Sequence, residues 1–158
     1  MPNSKNRIAV YPGSFDPPTL GHLDIVFRAA KMFERVVVAV ADNPAKKHTF
    51  SAQERLEMVR GAIKKVPNAE ADVFSGLLVD YLRKKGIQVL IRGLRVVSDM
   101  DYEFQLASFN RTLYPNVETV FFDARREIHL FRFFDGQGSG PFGGFRRFFR
   151  AAGYLKKA

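Results

Sequence analysis

The stretch from Ile8 to His22 reads IAVYPGSFDPPTLGH, and it decides the fold of this chain. Its first four residues are apolar and favour a β-strand, and the prolines and glycines that follow are typical of a tight loop. Beyond the stretch, apolar residues recur with a helical period at Leu23, Val26, Phe27 and Ala30. The sequence therefore predicts a strand, a tight loop and the start of a helix.

This junction favours an anionic ligand. The free N–H groups of a first helical turn, together with the helix dipole, attract a phosphate. His22 can donate a hydrogen bond to an anionic oxygen there, and Gly21 lets the backbone come close to the ligand. A surface histidine in an ordinary strand–helix turn is the simpler interpretation of an isolated Gly-His pair, but the whole stretch favours a phosphate site.

The rest of the chain continues the alternation of strands and helices. Strands are predicted at 7–11, 35–41, 69–74, 88–92 and 117–122, and helices near 21–33, 51–65, 77–85 and 100–113. The nearly continuous valine and isoleucine runs suit strands buried on both faces. Ser51 and Glu54 form a capping box that predicts the start of the second helix, and Gly86 and Pro67 are predicted to end helices. We predict an α/β fold, a doubly wound parallel sheet of five strands, Rossmann-like.

In such sheets ligands bind beyond the carboxyl ends of the strands. Four groups of polar or flexible residues are predicted to follow successive strands, namely Ser14, Lys46, Gly76 to Leu78, and Arg92 to Arg95. We expect one site at this edge. The chain shows no evident Ser-His-Asp or Cys-His set and no cluster with metal-ligand spacing, and both absences agree with a mechanism that lacks a protein nucleophile.

Composition limits the class of protein. With 158 residues the chain is expected to be one domain, and its lack of cysteine favours a reducing cytoplasm. No apolar run approaches a membrane span, and no leader is recognisable, so neither a membrane anchor nor secretion is expected. Of the formal charge of +9, the part from Asp123 onward carries +5. The remaining basic excess is modest and is explained equally well by a polyanionic small ligand, so the charge does not by itself indicate nucleic-acid binding.

Several motifs resemble a known family. The first loop resembles the GxFDPxxxGH signature of the nucleotidyltransferase superfamily. Three later segments resemble one of its branches, the bacterial phosphopantetheine adenylyltransferases: residues 43–47 (NPAKK), 91–95 (IRGLR) and 101–111 (DYEFQLASFNR). The resemblance runs from about Arg7 to Phe122. It implies a nucleotide-binding domain over 1–122 and adenylyl transfer from ATP to 4′-phosphopantetheine, with release of pyrophosphate.

The resemblance also implies roles for individual residues. His22, Lys46 and Arg92 would be the catalytic cationic donors around the reacting phosphorus. ATP would contact a set spread over the first loop, the fourth strand and the last helix: Ser14, Phe15, His22, Gly93, Leu94, Arg95, Tyr102 and Glu103. 4′-Phosphopantetheine would contact Ser14, Lys46, Leu78 and Arg92. Mg²⁺ would be held mainly by the substrate phosphates. Dephospho-coenzyme A or coenzyme A would bind as product or inhibitor, and the assembly would be a homohexamer.

Each of these residues also has a simpler interpretation. Lys46 and Lys47 alone would be solvated loop residues, and Glu103 alone would be a partner on a helix surface. Arg92 ends an apolar run and must find a counter-ion. His48 and His129 are expected to be surface residues. Two alternative functions stay open: another nucleotidyltransferase of this superfamily, acting on nicotinate mononucleotide or with a cytidylyl acceptor, and an inactive basic module that binds nucleic acid.

The family pattern stops after Phe122. Residues 123–158 contain seven phenylalanines and show no helical or strand period. Residues 134–141 can be encoded by codons that, when the reading frame is shifted by one nucleotide, translate as Ser-Met-Val-Lys-Glu-Val-Ala. That sequence resembles the last helix of the family. We interpret 123–158 as an anomalous, frameshifted C-terminal segment of the same domain. Translated as written, it is predicted to form no helix over 134–144 and to expose aromatic surface.

Overall fold

The computed structural model of the chain describes residues 7–124. Strands and helices alternate through this part of the chain: β1 (Ile8–Gly13), α1 (Leu20–Ala30), β2 (Arg35–Asp42), α2 (Ala52–Ile63), β3 (Ala69–Ser75), α3 (Leu78–Lys85), β4 (Val89–Leu94), α4 (Ser98–Leu113) and β5 (Glu118–Asp123). The predictions for 125–158, including the frameshift, the missing helix over 134–144 and a surface His129, lie outside the described residues.

The five strands form one parallel sheet in the order β3-β2-β1-β4-β5. The chain moves outward from β1 to β3 and then returns to the other side of β1 for β4 and β5. The predicted doubly wound α/β fold is thereby confirmed. The order of the strands reverses between β1 and β4, and a crevice for ligands opens at the carboxyl ends of such a pair.

Every strand extends further toward that crevice than predicted, β1 and β4 by two residues and the other three by one. β1 continues to Gly13 because Pro12 and Gly13 pair with β2. β4 continues to Leu94 because its last residues pair with β5. Arg92 therefore lies within β4, as in the predicted strand 88–92, and the prediction that Gly93 and Leu94 follow the strand was wrong. These terminal residues are held in the sheet by pairing with neighbouring strands, so the apolar pattern of the sequence predicted strands that were too short.

The helix-end predictions were partly right. The side chains of Ser51 and Glu54 form the predicted capping box before α2. Gly86 ends α3 with a φ of 67°, in the left-handed region that glycine adopts at little cost. Helix α1 ends at Ala30 and not at the predicted residue 33. The carbonyl of Ala29 accepts from both Met32 and Phe33, which closes the helix in a tighter turn.

The sheet is buried on both faces. Successive residues of β2 alternate between two apolar clusters, with Val36, Val38 and Val40 in one and Val37 and Ala39 in the other. The first cluster includes α1 and α2, and the second includes α3 and Tyr114 after α4. This packing on both sides leaves the carboxyl edge of the sheet as the place where loops can form a site.

Among residues 7–124, no helix is both long enough and apolar enough to cross a lipid bilayer.

Candidate functional site

A cavity of about 920 Å³ opens at the carboxyl ends of β1 and β4. Its size is in the range of small-molecule sites. Seven of the predicted site residues line it: Ser14, Phe15, His22, Arg92, Gly93, Arg95 and Glu103. Gly21, which was predicted to let the backbone come close to a ligand, also lines the cavity. The cavity therefore lies where the fold predicts a ligand, and it brings most of the predicted ATP residues together.

The loop after β1 has a constrained backbone. Phe15 has a φ of 48°, a region that residues other than glycine seldom occupy. Its buried ring packs edge-on against Tyr11 and His22, with centroids 5.5 Å and 5.0 Å away. A Cβ on Gly13 would come within 3.0 Å of that ring. Gly13 therefore leaves the space that lets Phe15 fold back under the loop.

His22 takes part in the cap of α1. The backbone N–H of Thr19 donates to Nδ1 of His22 over 2.9 Å, and the Thr19 hydroxyl accepts the backbone N–H of His22. This is a capping box in which histidine stands where glutamate or glutamine is usual. A backbone N–H can only donate, so Nδ1 accepts and the proton of the neutral ring is on Nε2. The spacing of Thr19 and His22 is the sequence signal that could have revealed this role.

The Nε2 atom of His22 lies 3.3 Å from Nη2 of Arg95. Burial, followed by the charge of Arg95, lowers the pKa of His22 from 6.5 to about 4. His22 is thus neutral near pH 7 here, and not the cation that was expected. The Nε2–H of His22 and the Nη2–H of Arg95 are therefore two donors side by side, and an anionic oxygen between them could accept from both.

Arg92 and Glu103 form a two-point ion pair in the wall of the cavity. Nε and Nη2 of Arg92 each donate to a carboxylate oxygen of Glu103 over 2.7 Å. Burial opposes the charge of Arg92, but the bonds to Glu103 hold its pKa above the usual value. The expectation that Arg92 needs a counter-ion is confirmed. The interpretation of Glu103 as a helix-surface partner was wrong, because this side chain is buried against β4.

Four predicted site residues do not line the cavity. Lys46 is exposed in the β2–α2 loop, and Tyr102 is 66% exposed on α4. Leu94 ends β4, where its carbonyl accepts the N–H of Ala124. Leu78 begins α3 and packs its side chain against the second apolar cluster.

The loops that carry Ser14 and Lys46 are tied together by Asp16. Its carboxylate accepts the backbone N–H groups of Thr49 and Phe50 over 2.6 Å and 2.9 Å. Burial alone would raise the pKa of Asp16, but these bonds, with His48 and Arg55, hold it below the usual value. Nδ1 of His48 lies 3.6 Å from Asp16 and its side chain is only 14% exposed, so the prediction of a surface His48 was wrong. The sequence offered no local signal for this contact between distant loops.

Arg55 is a buried cation that the sequence analysis missed. It lies on α2 at 1% exposure, next to Leu56 and one turn before Val59, both in the core. The signal was present, because an arginine occupies a position of the apolar helical stripe 55, 59, 63.

No group of three or more potential metal-binding side chains occurs within residues 7–124. The donors that converge on the cavity, from His22, Arg92 and Arg95, suit phosphate oxygens better than a bare cation.

Comparisons with known proteins agree with this geometry. The chain matches the cytidylyltransferase-like family over residues 10–131. A phosphopantetheine adenylyltransferase from Dictyoglomus thermophilum is 58% identical over 113 residues, which cover 72% of this chain and 69% of that protein. One from Carboxydothermus hydrogenoformans is 55% identical over 121 residues, covering 77% and 75%.

Among solved structures, a putative nicotinate-nucleotide adenylyltransferase from Vibrio parahaemolyticus superposes with a TM-score of 0.60. It is 15% identical and covers 80% of this chain and 85% of its own, so it supports the fold alone. The two close relatives share more than half of their aligned residues with this chain, far above chance for a shared fold. The chain therefore belongs to the phosphopantetheine adenylyltransferase family of cytidylyltransferase-like proteins.

Proposed function

We propose that this protein transfers the adenylyl group of ATP to 4′-phosphopantetheine, giving dephospho-coenzyme A and pyrophosphate. An oxygen of the acceptor phosphate forms the new bond to the α-phosphorus of ATP. The bond from that phosphorus to the bridging oxygen of the β-phosphate breaks, and pyrophosphate leaves. The proposal rests on the family and on one geometric observation, the pair of donors from His22 and Arg95 in the cavity.

The neutral His22 suits this reaction. Its Nε2–H can donate to a phosphate oxygen as negative charge builds up there, while Nδ1 stays fixed by the cap of α1. Arg95 adds a permanent charge 3.3 Å away. Ser14 and Phe15 lie at the start of the same cavity, and we assign their hydroxyl and backbone N–H to the phosphates of ATP.

We assign Lys46 and Arg92 to the acceptor phosphate, with Leu78 contributing a backbone contact to the pantetheine arm. Gly93, Leu94, Tyr102 and Glu103 are assigned to ATP. Because Arg92 is held by Glu103, the acceptor phosphate would meet a guanidinium already fixed in orientation. Lys46 is exposed and would have to reach toward the cavity from its loop.

Magnesium belongs to this proposal as a substrate-bound ion. Bound to ATP, it would neutralise charge on the phosphate oxygens, and those oxygens would supply most of its ligands. His22 and Arg95 would then hold the remaining phosphate oxygens.

A homohexamer and a cytoplasmic location are also proposed. Large apolar side chains on and just before α4 are exposed in the single chain, including Val97, Phe104 and Phe109 at 83%, 48% and 56%. Contacts between copies would remove this surface from water. Coenzyme A, which contains the product, is proposed to compete for the same cavity.

The proposal is tested by pyrophosphate release with paired substrates. We expect release with ATP and 4′-phosphopantetheine together, and none with CTP or with nicotinate mononucleotide as the acceptor. Release with either alternative substrate, and none with the expected pair, would assign the chain to another transferase of the superfamily. A chain that releases none and instead binds RNA with a steep salt dependence would support the inactive nucleic-acid module.

A further inference from the structure

Arg55 is fully buried, yet its charge is directed at backbone carbonyls. Nη1 donates to the carbonyl oxygens of Ser14 and Ala41 over 2.7 Å and 2.9 Å. Nε donates to the carbonyl of Phe50 over 3.1 Å, and Nη2 lies 3.8 Å from the carboxylate of Asp42. A buried cation must be satisfied in this way, and only the guanidinium fork provides donors in several fixed directions.

One of these carbonyls is that of Ser14, at the start of the β1–α1 loop. The carbonyl of Ser14 and the N–H of Phe15 are part of the same trans peptide. In a planar trans peptide the two groups point in opposite directions, so holding the carbonyl toward Arg55 turns the N–H away from it. The bond also polarises the peptide and strengthens its N–H as a donor.

The backbone at Phe15 needs such support. A φ of 48° is sparsely populated for phenylalanine and persists only where surrounding contacts determine it. Arg55 contributes one of those contacts through the carbonyl of Ser14, and the aromatic packing of Tyr11 and His22 against the Phe15 ring contributes others.

The same guanidinium also reaches the second loop. The carbonyl of Phe50 accepts from Arg55, and the N–H of Phe50 donates to Asp16 in the first loop. Arg55 thus lies where the β1–α1 loop, the end of β2 and the β2–α2 loop meet. The two loops carry Phe15 and Lys46, which the proposed function assigns to ATP and to the acceptor.

We propose that Arg55 is a positioning residue for adenylyl transfer, which fixes the Ser14–Phe15 peptide with its N–H toward the ATP phosphates and sets the two substrate loops relative to each other. The inference rests on the proposed function. Arg55 touches no substrate in this scheme; it acts through the carbonyls that it holds.

The test compares Arg55→Lys with Val59→Ala. Lysine keeps the charge but cannot donate to several carbonyls that lie in different directions. Val59→Ala is the control, because it creates a cavity at the same buried face of α2 without removing a contact to the loops. Both variants are assayed in the full-length protein well below their melting temperatures. We expect Arg55→Lys to lower kcat about 10–100-fold and raise the KM for ATP, because small misplacements of reacting groups are this costly. Val59→Ala should lower the melting temperature and leave kcat unchanged.

A second measurement needs no variant. The protein is labelled with ¹⁵N-arginine, and the NMR signal of the Arg55 Nε–H is assigned by its absence from the spectrum of Arg55→Gln carrying the same label. We expect this signal to shift as ATP saturates the site. If Arg55→Lys does not fold, an unshifted signal overturns the inference. If it folds, equal kcat values for Arg55→Lys and the unaltered protein overturn it while the proposed function stands. All these assays use the protein with the C-terminal segment that mass spectrometry finds in the natural protein, and if that unaltered protein releases no pyrophosphate, the proposed function itself is contradicted.

Discussion

At the scale of single residues, His22 links the helix cap to the cavity. Its Nδ1 accepts the N–H of Thr19, so the ring cannot rotate without breaking the cap of α1. The remaining nitrogen, Nε2, lies beside Arg95. The local structure therefore sets both the tautomer and the direction in which the ring donates.

The first prediction concerns catalysis by His22. If the ring mainly stabilises charge in the transition state, His22→Ala should lower kcat by on the order of 10²–10³ and leave ATP affinity nearly intact. The control is Ser51→Ala, which loses the corresponding cap of α2 away from the cavity, at a cost of about 1 kcal/mol. Loss of affinity together with rate in His22→Ala, or an equal loss of rate in the control, contradicts this role.

The second prediction concerns pH. The pKa of His22 is about 4 in the fold and 6.5 in the unfolded chain. Between these values the unfolded chain binds a proton that the fold does not, so stability is complete above pH 6.5 and falls as the pH drops toward 4. Between pH 7 and pH 5 the loss from this group is about 2 kcal/mol.

This loss is measured as the free energy of unfolding in urea at both pH values, for the unaltered protein and for His22→Asn. Asparagine does not titrate, and the other groups of the protein are the same in both chains. The variant should therefore lose about 2 kcal/mol less than the unaltered protein. Equal losses would show that His22 is protonated in the fold at pH 5.

The third prediction separates the two basic residues assigned to the acceptor phosphate. Lys46→Ala should weaken the binding of 4′-phosphopantetheine by roughly 1.5–3 kcal/mol in a calorimetric titration. It should leave the melting temperature unchanged, because Lys46 is exposed. Arg92→Ala should weaken binding similarly, and also destabilise the fold by roughly 3 kcal/mol by leaving Glu103 buried without a partner. Pantetheine without the phosphate is the control ligand, and equal sensitivity to both ligands would refute the assignment.

At the scale of elements, α1 packs directly onto β4 at a glycine. A Cβ on Gly93 would lie 2.6 Å from Cδ1 of Ile25, which is buried at 2% exposure and has little room to move. The spacing between the two elements is therefore set by the absence of a side chain. The cap residues of α1, Thr19 and His22, and Arg92 of β4 line the same cavity.

The fourth prediction follows from that contact. Gly93→Ala should destabilise the protein by about 1–3 kcal/mol, because the added methyl group overpacks the interface. Removing the opposing methyl in Ile25→Val should restore part of this loss in the double variant. The measurement is thermal unfolding of the three variants. Strictly additive effects in the double variant would show that the two residues do not compete for the same space.

At the scale of the whole molecule, the sheet edge collects residues from β1, β4 and α4 into one cavity, and β5 ends beside it. Arg28 on α1 donates to the backbone and side chain of Asp123, the last residue of β5. The residues that follow are those whose sequence departs from the family pattern. The family's last helix should lie beyond this point.

The fifth prediction concerns residues 123–158. If the coding sequence is frameshifted there, peptide mass spectrometry of the natural protein should find peptides of the shifted frame and an intact mass that differs from 18.0 kDa. Translated as printed, the chain should aggregate and show little activity, because exposed phenylalanines and glycines neither pack nor form a helix. Peptides matching Phe142 to Arg150 as printed, from an active enzyme, would contradict the frameshift.

The sequence by itself determined the order of elements and the edge at which the site lies. The alternation of apolar strands and amphipathic helices is local, and parallel sheets place their loops at one edge for general geometric reasons. The stretch from Ile8 to His22 also predicted its own strand, loop and helix. The need of Arg92 for a counter-ion followed from the energy of burying a charge.

Only the tertiary structure decided which groups meet across long distances. Arg55 reaches Ser14, Asp16 holds the loop at Thr49, and Glu103 pairs with Arg92, each between separate elements. The neutral state of His22 was hidden for the same reason, since its pKa depends on burial and on Arg95, 73 residues away. Hydrogen bonds and charges act over a few ångströms in space, and the sequence does not show which distant residues the fold brings that close.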